Sequence, residues 1–213
     1  GAGVASAGLA AIQVSTIVFV ITFMVLSPVI GLVIGFFFMV MVLWIVKDTH
    51  RSKVDTYFRK LQLLSAGAYS FSHGSNDAQK TMGITTSLLF ASGLIPEFKI
   101  PLWVVLSAHG AIALGTLAGG WRIVKTMGQR ITKLKPIDGV CAETAGAASI
   151  FLATHLGIPV STTHVITGAI SGVGSAHRLT AVRWNVTLRI VWAWIFTVPA
   201  SAIIAGLVYS LIR

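Results

Sequence analysis

Apolar runs of twenty residues or more recur along the chain, and they constrain its fold more than any other feature. A run of about twenty apolar residues, wound as an α-helix, matches the hydrocarbon thickness of a bilayer. Such runs fall at about 13–46, 100–121 and 185–212. Two further stretches, about 58–93 and 137–175, are apolar but broken by polar centres that contain glycine or proline. The chain is 55% hydrophobic and only 10% charged, against roughly 25% charged residues in soluble domains. The expected class is an all-α polytopic membrane protein. Trp44, Trp103, Trp121 and Trp184 lie near predicted helix ends, as interfacial anchors do.

The net charge of +10 would suggest nucleic acid in a soluble protein. Here the basic residues gather in short loops, so the positive-inside rule accounts for them better, and no basic face with interleaved aromatics is present. The segments 47–60 (Lys47, Arg51, Lys53, Arg59, Lys60) and 122–135 (Arg122, Lys125, Arg130, Lys133, Lys135) read as cytoplasmic loops. The short 94–99 loop reads as external. The single Cys141 fits neither a disulfide nor a metal motif and reads as a packing residue. No charged leader precedes the first apolar run, and the chain reads as part of a longer protein.

Sliding the chain against itself reveals an internal repeat. Gly1, Gly3, Ala5, Ala10, Thr16, Val20, Pro28 and Gly35 match the residues 171 positions later, Gly172, Gly174, Ala176, Ala181, Thr187, Val191, Pro199 and Gly206. The match argues for 13–46 as one long helix kinked at Pro28. Residues 1–12 carry no charge, whereas Arg178, Arg183 and Arg189 flank the second copy. The two copies should therefore run in opposite directions, as in the inverted-topology repeats of secondary transporters. The expected organisation is a last helix of a first repeat at 1–46, a basic loop at 47–60, and a second repeat at 61–213. For the loops on both sides of 137–175 to be internal, that stretch must enter the membrane and return, while 58–93 crosses fully.

The centres of the two broken stretches carry the chemistry. In "GIPVSTTHVITGAISGVG" (157–174), Pro159 stops one helix, and Ser161, Thr162 and Thr163 suit the N-terminus of the next. A half-helix that begins at membrane depth directs unpaired N–H groups and a positive dipole end inward, which suits an anion. In "SHGSNDAQK" (72–80), Gly74 is expected to break the helix, with Ser75, Asn76 and Asp77 capping the next. Asp77 would repel an anion unless a proton, a cation or Lys80 offsets it; an intramembrane ion pair points to function. Each cluster also admits a purely structural reading, as a helix cap with a salt bridge.

At these residues the chain resembles the inorganic phosphate transporter (PiT) family. "SHGSNDAQK" looks like that family's Gly-Ala-Asn-Asp signature, "GIPVSTTHVITGAISGVG" is similar to its Pro-(Val/Thr)-Ser-(Ser/Thr)-Thr-His segment, and "GVCAETAGA" (139–147) resembles the Gly-Phe-Ala-Ala-Glu stretch before it. The resemblance implies a bacterial low-affinity type, a C-terminal half of inverted repeats, and phosphate binding by Asn76, Asp77, Ser161, Thr162 and Thr163. Sodium-coupled relatives usually continue Asn-Asp-Val-Ala-Asn, whereas here Asn76-Asp77-Ala78-Gln79-Lys80 places an ammonium at the last position. Proton-coupled symport is therefore expected, with a metal–phosphate complex as an open form of the substrate and sulfate as the runner-up.

Lys80, Asp77, Glu143, His73 and His164 are the expected coupling and charge-partner residues. Glu143 is preferred to Asp138 because it lies deeper, and His109 is expected to be a core histidine. No i, i+4 ligand pair occurs among the membrane histidines, so no metal site or cofactor is expected. An intramembrane enzyme would need a nucleophile elbow or HExxH, and neither is present. A channel subunit would not need two capped half-helices. The expected setting is the bacterial inner membrane, as a multi-pass protein. Its expected partners are inorganic phosphate, the bilayer and the missing N-terminal half, with a homodimer left open and no nucleic acid. Half of such a site would not transport on its own.

Overall fold

A computed structural model describes residues 1–212, the side chains of Ala11 and Arg122 excepted. Among the described residues, eight α-helices carry the fold: α1 Ala2–Ala7, α2 Val14–Ile45, α3 Arg51–Ala91, α4 Leu102–Gly119, α5 Trp121–Lys125, α6 Pro136–His155, α7 Thr162–His177 and α8 Trp184–Ile212. No strand occurs among the described residues. Three of the helices, α2, α4 and α8, are long and apolar enough to cross a membrane. They match the three uninterrupted apolar runs of the sequence. Trp44, Trp103, Trp121 and Trp184 stand within two residues of a helix end with exposed rings.

One core cluster defines a face of the molecule. Met39 and Val42 of α2, Phe58 of α3, Ile137 and Val140 of α6, and Val173 of α7 pack together, with Ile131 and Val182 from the connecting segments. At this face α2 ends, α3 begins, α6 begins and α7 ends; Val186 and Ile190 near the start of α8 pack against the same cluster. The segments 47–60, 122–135 and 176–184 therefore converge on one side, and this is the basic side of the chain. α6 and α7 leave this face and return to it as a re-entrant pair. α2 ends at this face and α8 begins at it, so the two run in opposite directions with respect to it.

The turn between α6 and α7 is closed locally. Gly157 adopts φ 67°, the left-handed conformation that glycine reaches without a Cβ penalty. The Ile158 N–H bonds the Ala153 carbonyl at 2.8 Å and the Gly157 N–H bonds the Thr154 carbonyl at 3.1 Å. This pair of bonds is the Schellman arrangement, which satisfies carbonyls that the helix end would otherwise orphan. Pro159 then prevents the helix from resuming until Thr162.

The expected break at Gly74 does not occur. α3 runs without interruption for 41 residues, and Gly74 is not among the glycines with positive φ. A glycine inside a helix costs about 1 kcal/mol relative to alanine but does not stop it; that requires a left-handed turn or a proline, and α3 has neither. Ser75, Asn76 and Asp77 are thus helix-interior residues, not caps. The helix also takes in residues 51–60, read from sequence as loop. At ~62 Å it far exceeds a hydrocarbon core of ~30 Å, so it tilts or projects from the basic face.

α7 lies against α2 at backbone distance. A Cβ at Gly168 would collide with the Pro28 carbonyl oxygen, and one at Gly172 with that of Leu32; in return, Gly31 and Gly35 of α2 admit the backbone of Val165 and Ala169. Small residues spaced four apart on both helices allow this approach. The same device recurs where α1 meets α8, with Gly1 against the Ala202 carbonyl.

Pro28 has a second consequence. It lacks the N–H that would bond the Met24 carbonyl one turn earlier, and His164 Nδ1 supplies a replacement at 3.1 Å. Because a carbonyl only accepts, the ring carries its proton on Nδ1 in this contact. His164 is 5% exposed, and its other side stacks on Trp194 at 3.6 Å between ring centroids. We predict that His164→Leu lowers stability by about 1 kcal/mol, and that the loss shrinks when Pro28→Ala restores the missing N–H. Thermal unfolding of the two single variants and the double variant measures this coupling.

Candidate functional site

With α3 continuous, helical spacing aligns its polar residues. Gln62, Ser65, Tyr69, His73, Asn76, Asp77 and Lys80 recur every three or four residues and so form a stripe along one side of the helix. That stripe faces the re-entrant pair. Asn76, 5% exposed, donates from Nδ2 to Thr154 Oγ1 of α6 at 2.9 Å. Asp77 reaches α7, where Thr162 Oγ1 donates to its carboxylate at 3.3 Å.

Asp77 is the hub of the cluster. Its Oδ1 lies 3.3 Å from Lys80 Nζ and its Oδ2 lies 3.5 Å from His73 Nδ1. Both contacts follow from placing partners four residues before and three after it on one helix. Lys80 Nζ also donates to the Val160 carbonyl at 3.0 Å, tying the α6–α7 turn to α3. Tyr69 stacks on His73 with ring centroids 6.0 Å apart, and Gly146 of α6 leaves room for the Tyr69 ring. About a third of the Asp77 and His73 side chains and half of Lys80 remain accessible, so the cluster is open on one side. Ala78, beside Asp77, packs with Val104 and Ala108 of α4, which puts the cluster within the depth of a membrane-crossing helix.

The N-terminus of α7 contributes differently from the sequence expectation. Ser161 is its N-cap residue, but no side chain caps the helix. Ser161 Oγ instead lies 3.0 Å from Thr163 Oγ1, and Thr162 turns to Asp77. The first turn of α7 therefore opens beside the carboxylate–ammonium pair, with Thr163 exposed and Thr162 buried. Buried Asn76 Oδ1 has no hydrogen-bond partner among the described residues.

The structure separates two of the residues expected to act here. Glu143 accepts from Ser65 Oγ at 2.5 Å; Ser65 lies twelve residues before Asp77 on the same helix, or ~18 Å along it. Glu143 thus forms a separate polar contact nearer the basic face. His164 points away from Asp77 to Met24 and Trp194. His109, expected in the core, is exposed on α4 with Nδ1 on the Val105 carbonyl at 2.8 Å. Among the described residues, no three His, Cys, Asp or Glu side chains gather closely enough to hold a metal.

Sequence reasoning missed Thr154, Tyr69 and the Val160 carbonyl. Tyr69 and Thr154 sat in apolar stretches without a motif, although Tyr69 precedes His73 by one helical turn. The Val160 carbonyl carries no side-chain signal at all.

The profile of the Phosphate transporter family matches residues 1–205. A probable low-affinity inorganic phosphate transporter of Rhizobium meliloti is 52% identical over 210 residues, covering 98% of this chain and 63% of that protein. One of the same description from Bacillus subtilis is 42% identical, covering 100% of this chain and 64% of that protein. A solved structure, the sodium-dependent phosphate transporter, superposes with TM-score 0.82 at 25% identity, over 99% of this chain and 70% of that one. The chain thus spans just under two thirds of the length of these two curated relatives, which are named as transporters rather than enzymes. The match extends over the re-entrant pair, the polar stripe of α3 and the glycine-packed α2. The chain belongs to the phosphate transporter family.

Proposed function

We propose that this chain forms one wall of the substrate path of a membrane transporter for inorganic phosphate, and that movement of phosphate is coupled to protons. The observation that carries the reading is the uncapped N-terminus of α7, which opens at membrane depth against Asp77 and Lys80. Helix N–H groups and the hydroxyls of Ser161 and Thr163 suit phosphate oxygens. Asn76 and Thr162 hold the wall behind them through Thr154 and Asp77.

Asp77 is the element that couples. Ionised, it repels an arriving anion and engages Lys80. A proton on Asp77 removes the repulsion and frees the ammonium to meet the phosphate, so proton and anion enter together. In the opposite state Lys80 returns to Asp77 and no net charge is left unpaired in the membrane. The ammonium lies against carboxylate and carbonyl oxygens, ligands of the kind a sodium ion would use, and this supports protons over sodium. Phosphate carried as a divalent-metal complex is compatible with the same carboxylate. Glu143, with Ser65, offers a second protonatable position on the route to the basic face, and His73 a relay beside Asp77.

The reading is tested in proteoliposomes of the protein that carries this chain. Thr162→Val should lower phosphate uptake about tenfold, the loss of one hydrogen bond to a charged group, while Thr162→Ser keeps most of it. Equal activity of all three proteins would remove Thr162 from the site. Uptake by the unaltered protein should follow an imposed pH gradient and be indifferent to replacement of sodium by potassium. Lys80→Asn should alter that cation dependence; an unchanged dependence contradicts the coupling role. Competition by arsenate but not by sulfate is expected if phosphate is the substrate.

A further inference from the structure

A second site candidate lies at the basic face. The segment before α6 and the segment after α7 enclose a cleft of about 400 Å³. Lys133, Lys135, Arg178 and Arg183 line it together with Thr180. All four cations are exposed, and none is in an ion pair among the described residues. The one acid in the lining, Asp138, is 4% exposed and already engaged. Its Oδ2 accepts from the Lys135 backbone N–H at 2.8 Å, and its Oδ1 lies 2.8 Å from His177 Nε2. This carboxylate pins the end of α7 to the start of α6 and sets one negative charge against four cations in the cleft.

The positive-inside rule accounts for the side on which these residues lie. It does not account for four cations converging from two separate segments on one concavity, where they repel each other unless an anion is present. Depth narrows the ligand. Thr154, at the level of Asn76, is eighteen residues from Pro136 along α6, or ~27 Å. Ala108, at the same level as Ala78, lies six residues from the outer end of α4. The cleft is therefore ~35 Å from that end, just past a hydrocarbon core of ~30 Å, in the headgroup layer. Basic pockets at this depth suit phosphate-bearing headgroups. Arginine adds planar, paired donors matched to phosphate oxygens.

We infer that this cleft is an anion site for a phosphate group, distinct from the Asp77 cluster, supplied either by an anionic phospholipid or by a soluble phosphate compound at the membrane surface. Occupancy would bridge the two ends of the re-entrant pair across the Asp138–His177 contact and so bear on how freely that pair moves.

The test compares the unaltered protein with R178Q/R183Q and with R178K/R183K, each checked for a single symmetric size-exclusion peak. Native mass spectrometry after incubation with phosphatidylglycerol reads the lipid arm. Calorimetric titration with tripolyphosphate in phosphatidylcholine nanodiscs reads the soluble arm. The expected result is an approximately tenfold loss of binding in R178Q/R183Q in at least one arm, with most of it kept in R178K/R183K. Loss in the lipid arm alone identifies a headgroup, and loss in the titration alone identifies a soluble phosphate compound. Equal binding by all three proteins in both arms overturns the proposal, as does equal loss in both double variants when both remain folded.

Discussion

Within a membrane, a helix can stop and turn only where its freed backbone groups find partners and a neighbour comes close enough to replace water. Here the contact of α7 with α2 meets that demand. Gly168 and Gly172 bring α7 onto the carbonyl oxygens of Pro28 and Leu32, so the half-helix is held by backbone against backbone instead of by long side chains. Pro28 interrupts the bonding of α2 and at the same time creates the carbonyl to which His164 attaches. The Schellman turn at Gly157 closes the other end of the break. Removing the close contact would leave the N-terminus of α7 without a fixed position against α3, and the candidate site would lose one of its two sides.

α3 supplies the opposite side through periodicity. Polar groups are costly when scattered around a membrane helix, and the three- and four-residue spacing of Ser65, Asn76, Asp77 and Lys80 places these four on the side facing α6 and α7. Asn76 meets Thr154, Asp77 meets Thr162, Lys80 meets the Val160 carbonyl, and Ser65 meets Glu143. Each bond crosses from the long helix to the re-entrant pair. The first three do so beside the candidate site, so groups that line it also hold its two walls together, and Ser65–Glu143 fastens the same helices nearer the basic face. A change of charge at Asp77 therefore acts on binding and on the geometry of the wall, which suits a residue that couples two events.

Much of this was legible from sequence, for physical reasons. Uninterrupted apolar runs fixed the spanning helices, because bilayer thickness admits few other solutions. Pro159 with the hydroxyl run after it marked the re-entrant turn, since proline and glycine there act on the chain locally. Gly74 misled because glycine is permissive rather than prohibitive: its flanking polar residues looked like caps, yet no proline or left-handed turn accompanied it. His164 was placed among the coupling residues because it adjoins the break at Pro159. Its actual contact with Met24, across 140 residues of sequence, depends on the kink at Pro28 and had no local signal. Glu143 was recognised as a membrane acid, but its separation from Asp77 along α3 became visible only once that helix proved continuous.

The central claim is that phosphate binds where the first turn of α7 faces Asp77, and substrate protection of a single thiol tests it most directly. Cys141 is the only cysteine of this chain and is buried, so Thr163→Cys, with Cys141 and any cysteine elsewhere in the protein that carries the chain replaced by Ser, places one reactive group at the exposed edge of that turn. Labelling by a membrane-impermeant thiol reagent should slow several-fold in the presence of phosphate and stay unchanged with an equal concentration of chloride. Identical labelling rates with and without phosphate, in protein that still takes phosphate up, would contradict the account.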